Sequence, residues 1–224
     1  MNECLFLAHT LLVFFFILLA LRLGKEALTA ACALTAIAAN LFVLKQINLA
    51  GLSATCSDGY VVGSMLSLNL LQERYGGEAA AKAMATTFLA ILFFALFSAL
   101  HLAYIPHSLD TMDPAYQTIL TPSPRIVVAS FAAYLISQFA NLSLFALIKR
   151  HFSQWPLALR NLIALLPAQV IDTFIFTLIG LVGLVASITH VMAISIAIKW
   201  LAIVTLAPLT ALLRKVGSYD KLPL

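Results

Sequence analysis

Residues 161–185 read NLIALLPAQVIDTFIFTLIGLVGLV, and this stretch decides the class of the fold. It contains a single Asp and no Glu, Lys or Arg. A helix needs roughly 20 mostly apolar residues to cross the hydrocarbon layer of a membrane. The stretch is long enough and apolar enough for this, so we predict a transmembrane helix here.

The rest of the chain has the same character. Of its 224 residues, 62% are hydrophobic and 10% are charged, and the mean hydropathy is +1.03. A soluble domain is on average about one quarter charged, so this chain has too few charges to cover its surface in water. The composition excludes a water-soluble fold and a disordered chain. The three cysteines lack metal-ligand spacing, so we expect no thiol framework.

Six further apolar stretches bring the predicted number of membrane spans to seven. Besides residues 161–185, they are 4–21, 27–44, 55–72, 83–105, 126–148 and 190–213. The stretch 55–72 is the weakest because polar residues lie at both of its ends, and a full span, a broken helix and a re-entrant segment remain open. The link 106–124 contains four prolines, which predicts a loop outside the bilayer. The chain is therefore predicted to be an all-α integral membrane protein.

The orientation of the spans follows from the lysines and arginines between them. With seven spans, ten of these residues fall on one side and only Lys45 and Arg125 on the other. Because basic loops stay in the cytoplasm, we predict an external N-terminus and a cytoplasmic C-terminus. The net charge of +4 reflects this topology. The sequence contains no cluster of basic residues with interleaved aromatic residues, which would indicate nucleic-acid binding. The first stretch starts with Glu3 and no basic residue, which favours a retained span over a signal peptide.

Polar side chains inside the apolar stretches are the informative residues, because an ionisable group at membrane depth costs about 2.5–3.5 kcal/mol. Asp172 lies near the middle of the sixth stretch and shares a helical face with Gln169 and Phe176. This face would bind a polar planar ligand, or it would hold helices together by a hydrogen bond. Lys199 lies midway along the last stretch. It would pair with Asp172, or act as a coupling or substrate-binding group.

The fifth stretch carries a stripe of polar residues. Ser130, Tyr134, Gln138 and Asn141 recur at helical spacing. Single polar residues in spans are usually packing residues, but four aligned ones favour the wall of a cavity.

The second and third stretches also carry polar groups. Asp58, Asn69 and Glu73 fall on roughly one face of the third stretch. Glu73 would form an interfacial salt bridge or bind the ligand, and Asp58 would be an outer gate or a solvated cap. Asn40 is a further buried amide in the second stretch.

No motif in the chain indicates an enzyme. The histidines show no metal-ligand spacing, and the sequence has no GxSxG, P-loop or GxGxxG motif. We therefore predict no catalytic residue, metal or cofactor. A pocket of carboxylate, amide and aromatic groups suits a flat heterocycle, and a small membrane protein with such a pocket is typical of a secondary carrier.

Several short motifs resemble the YhhQ-type queuosine precursor transporter family, in an order and spacing that cover residues 36 to 213. They are Ala39-Asn40-Leu41 with Lys45, Glu73-Arg74-Tyr75-Gly76, Ser123-Pro124-Arg125-Ile126, the run from Ala129 to Gln138, Arg160-Asn161, Gln169 to Asp172-Thr173, and Lys199. The resemblance implies uptake of a 7-deazaguanine base across the bacterial inner membrane. The candidates are 7-cyano-7-deazaguanine, 7-aminomethyl-7-deazaguanine and queuine, for salvage into queuosine-modified tRNA.

The resemblance also implies a division of the chain. Its six-helix core would cover residues 26–215, with an additional N-terminal helix at 1–25 and a short cytoplasmic tail at 216–224. Two positions depart from the family pattern, because Asn69 and Asn141 stand where typical members carry Asp. Any proton or cation binding at those positions is then in doubt, or it has moved to Asp58.

We therefore predict two sets of site residues. The substrate-binding set is Asn40, Asn69, Glu73, Tyr134, Gln138, Asn141, Gln169, Asp172 and Phe176. The set for gating or charge balance is Lys199, Asp58 and Arg125. The partners are the deazaguanine base and the lipid bilayer, and a homodimer is compatible with the sequence. Three other interpretations remain open: the substrate-capture subunit of an ATP-powered vitamin importer, a membrane-embedded enzyme, and a structural assembly protein.

Overall fold

A computed structural model describes residues 1–43, 45–49, 51–121, 124–183 and 188–206 of the chain. Within these residues, seven long helices, one short helix and a two-stranded hairpin follow one another. They are α1 (Asn2–Leu23), α2 (Lys25–Phe42), β1 (Gln46–Leu49), β2 (Leu52–Thr55), α3 (Asp58–Tyr75), α4 (Gly77–Leu102), α5 (Asp113–Leu120), α6 (Pro124–His151), α7 (Leu157–Phe176) and α8 (Ile188–Leu206), with a π-helical turn at Thr177–Leu181 that continues α7.

The seven long helices coincide with the seven predicted apolar stretches. In the described part of the chain, α1, α4, α6, α8 and α7 with its π-helical turn are long and apolar enough to cross a membrane. The predicted class, an all-α multi-pass membrane protein with about seven spans, is confirmed. Helices are stable in the hydrocarbon layer of a membrane because they satisfy their own backbone hydrogen bonds. The last predicted span, 190–213, extends past the described residues.

Helix α3 is the centre of the bundle, and this explains its weak apolar character. It contacts α1, α2, α4, α6, α7 and α8, and every residue from Val62 to Gln72 is buried. Of the three interpretations left open for residues 55–72, the structure supports an unbroken helix, which begins at Asp58. Because protein surrounds it on all sides, this helix carries polar side chains that a lipid-facing helix could not.

Close packing of α1 on α3 depends on Gly63. A Cβ atom at this position would lie 2.7 Å from Val13 Cγ1 and 3.2 Å from Ile17 Cδ1. The outer surface is instead made of large apolar side chains, as on α4, where Leu89, Phe93 and Phe97 are all more than half exposed. The structure thus places small residues where helices meet and bulky ones where lipid would lie.

Two elements differ from the sequence-based prediction. The strands β1 and β2 form an antiparallel hairpin between α2 and α3, in which Gln46 pairs with Thr55 and Leu49 with Leu52. Gly51 has a φ of +84° in the tight turn, where glycine carries little steric cost. The link 106–124 is only partly a loop, because it contains α5. A proline in the first turn of α5 is compatible with a helix, since it needs no hydrogen-bond donor there.

Candidate functional site

A cavity of about 130 Å³ lies between α2, α3, α6, α7 and α8, beside the hairpin. It extends from the hairpin end of the bundle, at Val43 and Thr55, to the middle of the helices, at Ser64 and Ser195. Seven of the twelve predicted site residues line it: Asn40, Asp58, Tyr134, Gln138, Asp172, Phe176 and Lys199. The fold therefore brings polar groups from five helices into one chamber.

Lys199 and Asp172 form an ion pair in the wall of this cavity. Lys199 Nζ donates to Asp172 Oδ2 at 2.8 Å and to Thr173 Oγ1 at 3.1 Å. Asp172 Oδ1 accepts a hydrogen bond from Ser137 Oγ at 3.2 Å. The lysine is 6% exposed. Of the roles left open for Lys199, the structure thus supports pairing with Asp172, which offsets the cost of burying both charges.

Asp58 is the second carboxylate in the cavity, and it is held less closely. Its Oδ1 lies 3.9 Å from Lys199 Nζ, beyond hydrogen-bond range. Its Oδ2 has no hydrogen-bond partner among the described residues. The residue is 2% exposed, so the interpretation of Asp58 as a solvated cap is wrong. The start of α3 is covered by other elements, and the sequence does not reveal this.

Gln138 also contributes an unpaired acceptor atom to the cavity. Its Nε2 donates weakly to Ser64 Oγ at 3.4 Å, and within the described residues its Oε1 has no partner. Buried polar atoms are hydrogen-bonded in most proteins. Two unpaired buried acceptors in one cavity, Asp58 Oδ2 and Gln138 Oε1, therefore suit a ligand that donates hydrogen bonds.

Aromatic rings and small residues shape the rest of the wall. The Tyr134 hydroxyl donates to the Met84 carbonyl at 3.3 Å, which anchors its ring. Phe176 lines the same cavity from the end of α7. Ala36, Ala39 and Ala133 contribute short side chains to the lining and leave room between the helices. The combination of rings and open space suits a flat molecule.

Five predicted residues do not line the cavity. Asn141 Nδ2 donates to Asn69 Oδ1 at 2.9 Å, and both side chains are fully buried. Gln169 Nε2 contacts Met65 Sδ at 3.1 Å. The Arg125 side chain is exposed and donates to the Ile179 carbonyl in the π-helical turn. Three of the four residues in the predicted stripe on α6 thus line the cavity, and Asn141 contributes to helix packing.

Glu73 lies outside the cavity, near the end of α3. Its carboxylate accepts two hydrogen bonds of 2.8 Å from Arg160, at the start of α7. Lys149, at the end of α6, lies 3.3 Å from the same carboxylate and also donates to the Gln72 carbonyl at 3.0 Å. Of the two interpretations given for Glu73, the geometry matches the salt bridge. This cluster ties three helices together at the end of the bundle opposite the hairpin.

Apart from Ser130 in the predicted stripe, sequence reasoning missed the serine and threonine hydroxyl groups at the cavity. Ser137, Thr173, Thr177 and Ser195 all line it or bond to its charged groups. Serine and threonine are common at helix contacts in membranes, so their presence alone carries no signal. Ser137 directly precedes Gln138, and that adjacency is the one sequence feature that pointed to it.

Comparisons with known proteins agree with the predicted family. Residues 60–213 match a family model described as "Putative vitamin uptake transporter". The chain is 32% identical over 162 residues to a Bacillus subtilis (strain 168) protein named "Probable queuosine precursor transporter", which covers 72% of this chain and 71% of that protein. No solved structure matches the chain significantly. The extent of both matches confirms the relationship, and the chain belongs to the vitamin uptake transporter family.

Proposed function

We propose that this protein imports a queuosine precursor, a 7-deazaguanine base, across the bacterial inner membrane for salvage into tRNA. The name of the Bacillus subtilis relative supports the substrate class. The observation that carries the proposal is the shared cavity, in which Asp58, Gln138 and Asp172 lie among aromatic rings. Such a base is too polar to cross hydrocarbon readily, and the cavity offers it hydrogen bonds inside the membrane.

The chemistry of a 7-deazaguanine matches this lining. The base carries a ring N–H and an amino group on one edge, and these would donate to Gln138 Oε1 and to a cavity carboxylate. A carbonyl on the same ring would accept from a hydroxyl such as Thr177. The flat face would contact Tyr134 or Phe176. Each neutral hydrogen bond contributes about 0.5–1.5 kcal/mol, and one to a charged group about 1.5–3 kcal/mol.

The size of the cavity supports a free base over a larger ligand. One water needs roughly 10–15 Å³ of such space, so about 130 Å³ holds on the order of ten water-sized groups. This suits a bicyclic base, and a nucleotide would need considerably more room.

The predicted orientation of the helices determines from which side of the membrane the cavity would receive substrate. With the N-terminus outside, the hairpin end of the bundle would face the exterior, and the cavity would receive substrate from there. The cluster of Glu73, Arg160 and Lys149 would then close the cytoplasmic end. Import requires that this end opens after the base has bound, and breaking the cluster would be part of that step.

Uptake of a labelled base by cells that lack de novo synthesis tests the proposal. We expect accumulation that depends on this protein and falls strongly in Asp172→Ala and Gln138→Leu variants. Gln117→Leu is the matched control, because Gln117 is exposed on α5. Variant levels in the membrane must equal the wild type. Unchanged uptake by Asp172→Ala would refute the proposed site, and absence of uptake by the wild type would refute the function.

A second candidate is the substrate-capture subunit of an ATP-powered vitamin importer, because the matching family model is described as a vitamin uptake transporter without naming an energy source. Such a subunit binds its ligand but needs separate energising subunits for transport. Purified protein in liposomes separates the two, because a carrier moves labelled base across the membrane alone. Recovery of the base unaltered would also separate a transporter from a membrane-embedded enzyme.

A further inference from the structure

The cavity has an excess of negative charge. Its lining contains two carboxylates, Asp58 and Asp172, and one ammonium group, Lys199. The His9 ring packs against Tyr60 with ring centroids 4.5 Å apart, but it is not part of the lining and forms no ion pair with Asp58. Among the described residues that line the chamber, the formal charge is therefore one negative.

The geometry assigns this excess charge to Asp58. Lys199 lies 2.8 Å from Asp172 and 3.9 Å from Asp58. A second N–H of the Lys199 ammonium group donates to Thr173 Oγ1. Lys199 therefore pairs more closely with Asp172. Asp58 receives a weaker interaction through Oδ1 together with a side-chain hydrogen bond from Thr55.

Three features make Asp58 a binding group for a cation. Its Oδ2 has no hydrogen-bond partner in the part of the chain that the structure describes. The side chain lies in the first turn of α3, where the helix dipole favours negative charge. The residue is 2% exposed, and a buried carboxylate is costly when its ammonium partner lies 3.9 Å away and is shared with a second carboxylate. A ligand with one positive charge would remove this cost.

Two unpaired acceptors in the lining lie on different helices. Gln138 Oε1, on α6, suits a neutral N–H group of the base. Asp58 Oδ2, on α3, suits an ammonium group, which forms short charge-assisted hydrogen bonds with carboxylates. A flat base with an aminomethyl substituent carries both kinds of donor, on different sides of its ring system.

We propose that Asp58 binds a positively charged substituent of the transported base, so that the protein selects an amine-bearing 7-deazaguanine over neutral ones. This inference rests on the proposed function. It makes Asp58 a specificity-determining residue.

Equilibrium binding to the purified wild-type protein tests this directly. The probes are 7-aminomethyl-7-deazaguanine and its 7-hydroxymethyl analogue, which has nearly the same size but no charge. We expect the amine to bind roughly 10- to 100-fold more tightly. Equal affinities would overturn the inference alone, because they would mean that a proton or the protein neutralises Asp58. Absence of binding by either base would overturn the proposed function and the inference together.

An Asp58→Asn variant provides the second measurement. We expect it to lose about tenfold or more in affinity for the amine, with the affinity for the hydroxymethyl analogue changed less than about twofold. Asp110→Asn is the matched control, because Asp110 is exposed in the loop before α5. An equal loss for both bases would indicate a structural role and overturn the proposal. If the variant does not fold, the wild-type comparison still decides.

Discussion

Replacement of Lys199 by Met is the sharpest test of how the cavity is held together. The substitution keeps the length of the side chain but removes the ammonium group that lies 2.8 Å from Asp172 and 3.9 Å from Asp58. Breaking a buried ion pair costs about 3–5 kcal/mol, since it leaves an uncompensated charge. We expect a loss of this order, because two carboxylates would then share a cavity without a cation.

The chain offers a matched control with nearly identical geometry. Lys82 lies 2.7 Å from Glu78 on the surface of α4, and their side chains are 76% and 82% exposed. Solvent screens this pair, so Lys82→Met should cost at most about 0.5 kcal/mol. The difference between the two variants isolates the effect of burial, because distance and residue type are nearly the same.

A double variant completes the test. Asp172→Asn in the Lys199→Met background removes one of the two unpaired carboxylates, and we expect it to restore roughly 1–3 kcal/mol. Recovery should be partial, since Asp58 stays charged. Reversible unfolding in detergent micelles measures all four proteins. If Lys199→Met costs no more than Lys82→Met, or if Asp172→Asn adds to the loss, the ion pair does not stabilise the fold and the reasoning fails.

Three further substitutions test contacts between the helices outside the cavity. Gly63→Ala should cost about 1–3 kcal/mol in thermal unfolding, because its Cβ would clash with α1, whereas Gly77→Ala meets no atom within 4 Å and should be nearly neutral. Asn141→Leu should cost about 1–3 kcal/mol by leaving Asn69 without its partner, and a much smaller loss would show that the amide pair contributes little. Arg160→Lys replaces the two hydrogen bonds from the guanidinium group to Glu73 by a contact with a single ammonium group. Cysteines introduced at the predicted cytoplasmic end of the bundle should then react faster with a thiol label. Unchanged labelling would contradict a role of this cluster in closing that end.

The elements that could be predicted from the sequence are those that the membrane itself imposes. Lipid offers no hydrogen bonds to the backbone, so each long apolar stretch had to be a helix. The hairpin at Gln46–Thr55 and helix α5 were not predicted, because they lie in the links between the long apolar stretches, where hydropathy carries no signal. Lys199 and Asp172 were candidates for a pair because each would be too costly alone at membrane depth.

The allocation of polar residues between cavity and packing could not be predicted. Gln138 and Asn141 are three residues apart and share a face of α6, yet Gln138 lines the cavity and Asn141 bonds to Asn69. Position along a span gives the depth of a residue. It does not give the direction in which the neighbouring helix lies, and that direction decides what the side chain meets.

The amino-acid sequence by itself determined the helical class, the number of long helices and the family, because these follow from hydrophobic length and from motif order. Only the tertiary structure decided which carboxylate pairs more closely with Lys199. Asp58 and Asp172 are chemically identical, and the choice depends on about one ångström of difference in their distances to Lys199. Electrostatic pairing inside a membrane is that sensitive to separation because little water is present to screen it.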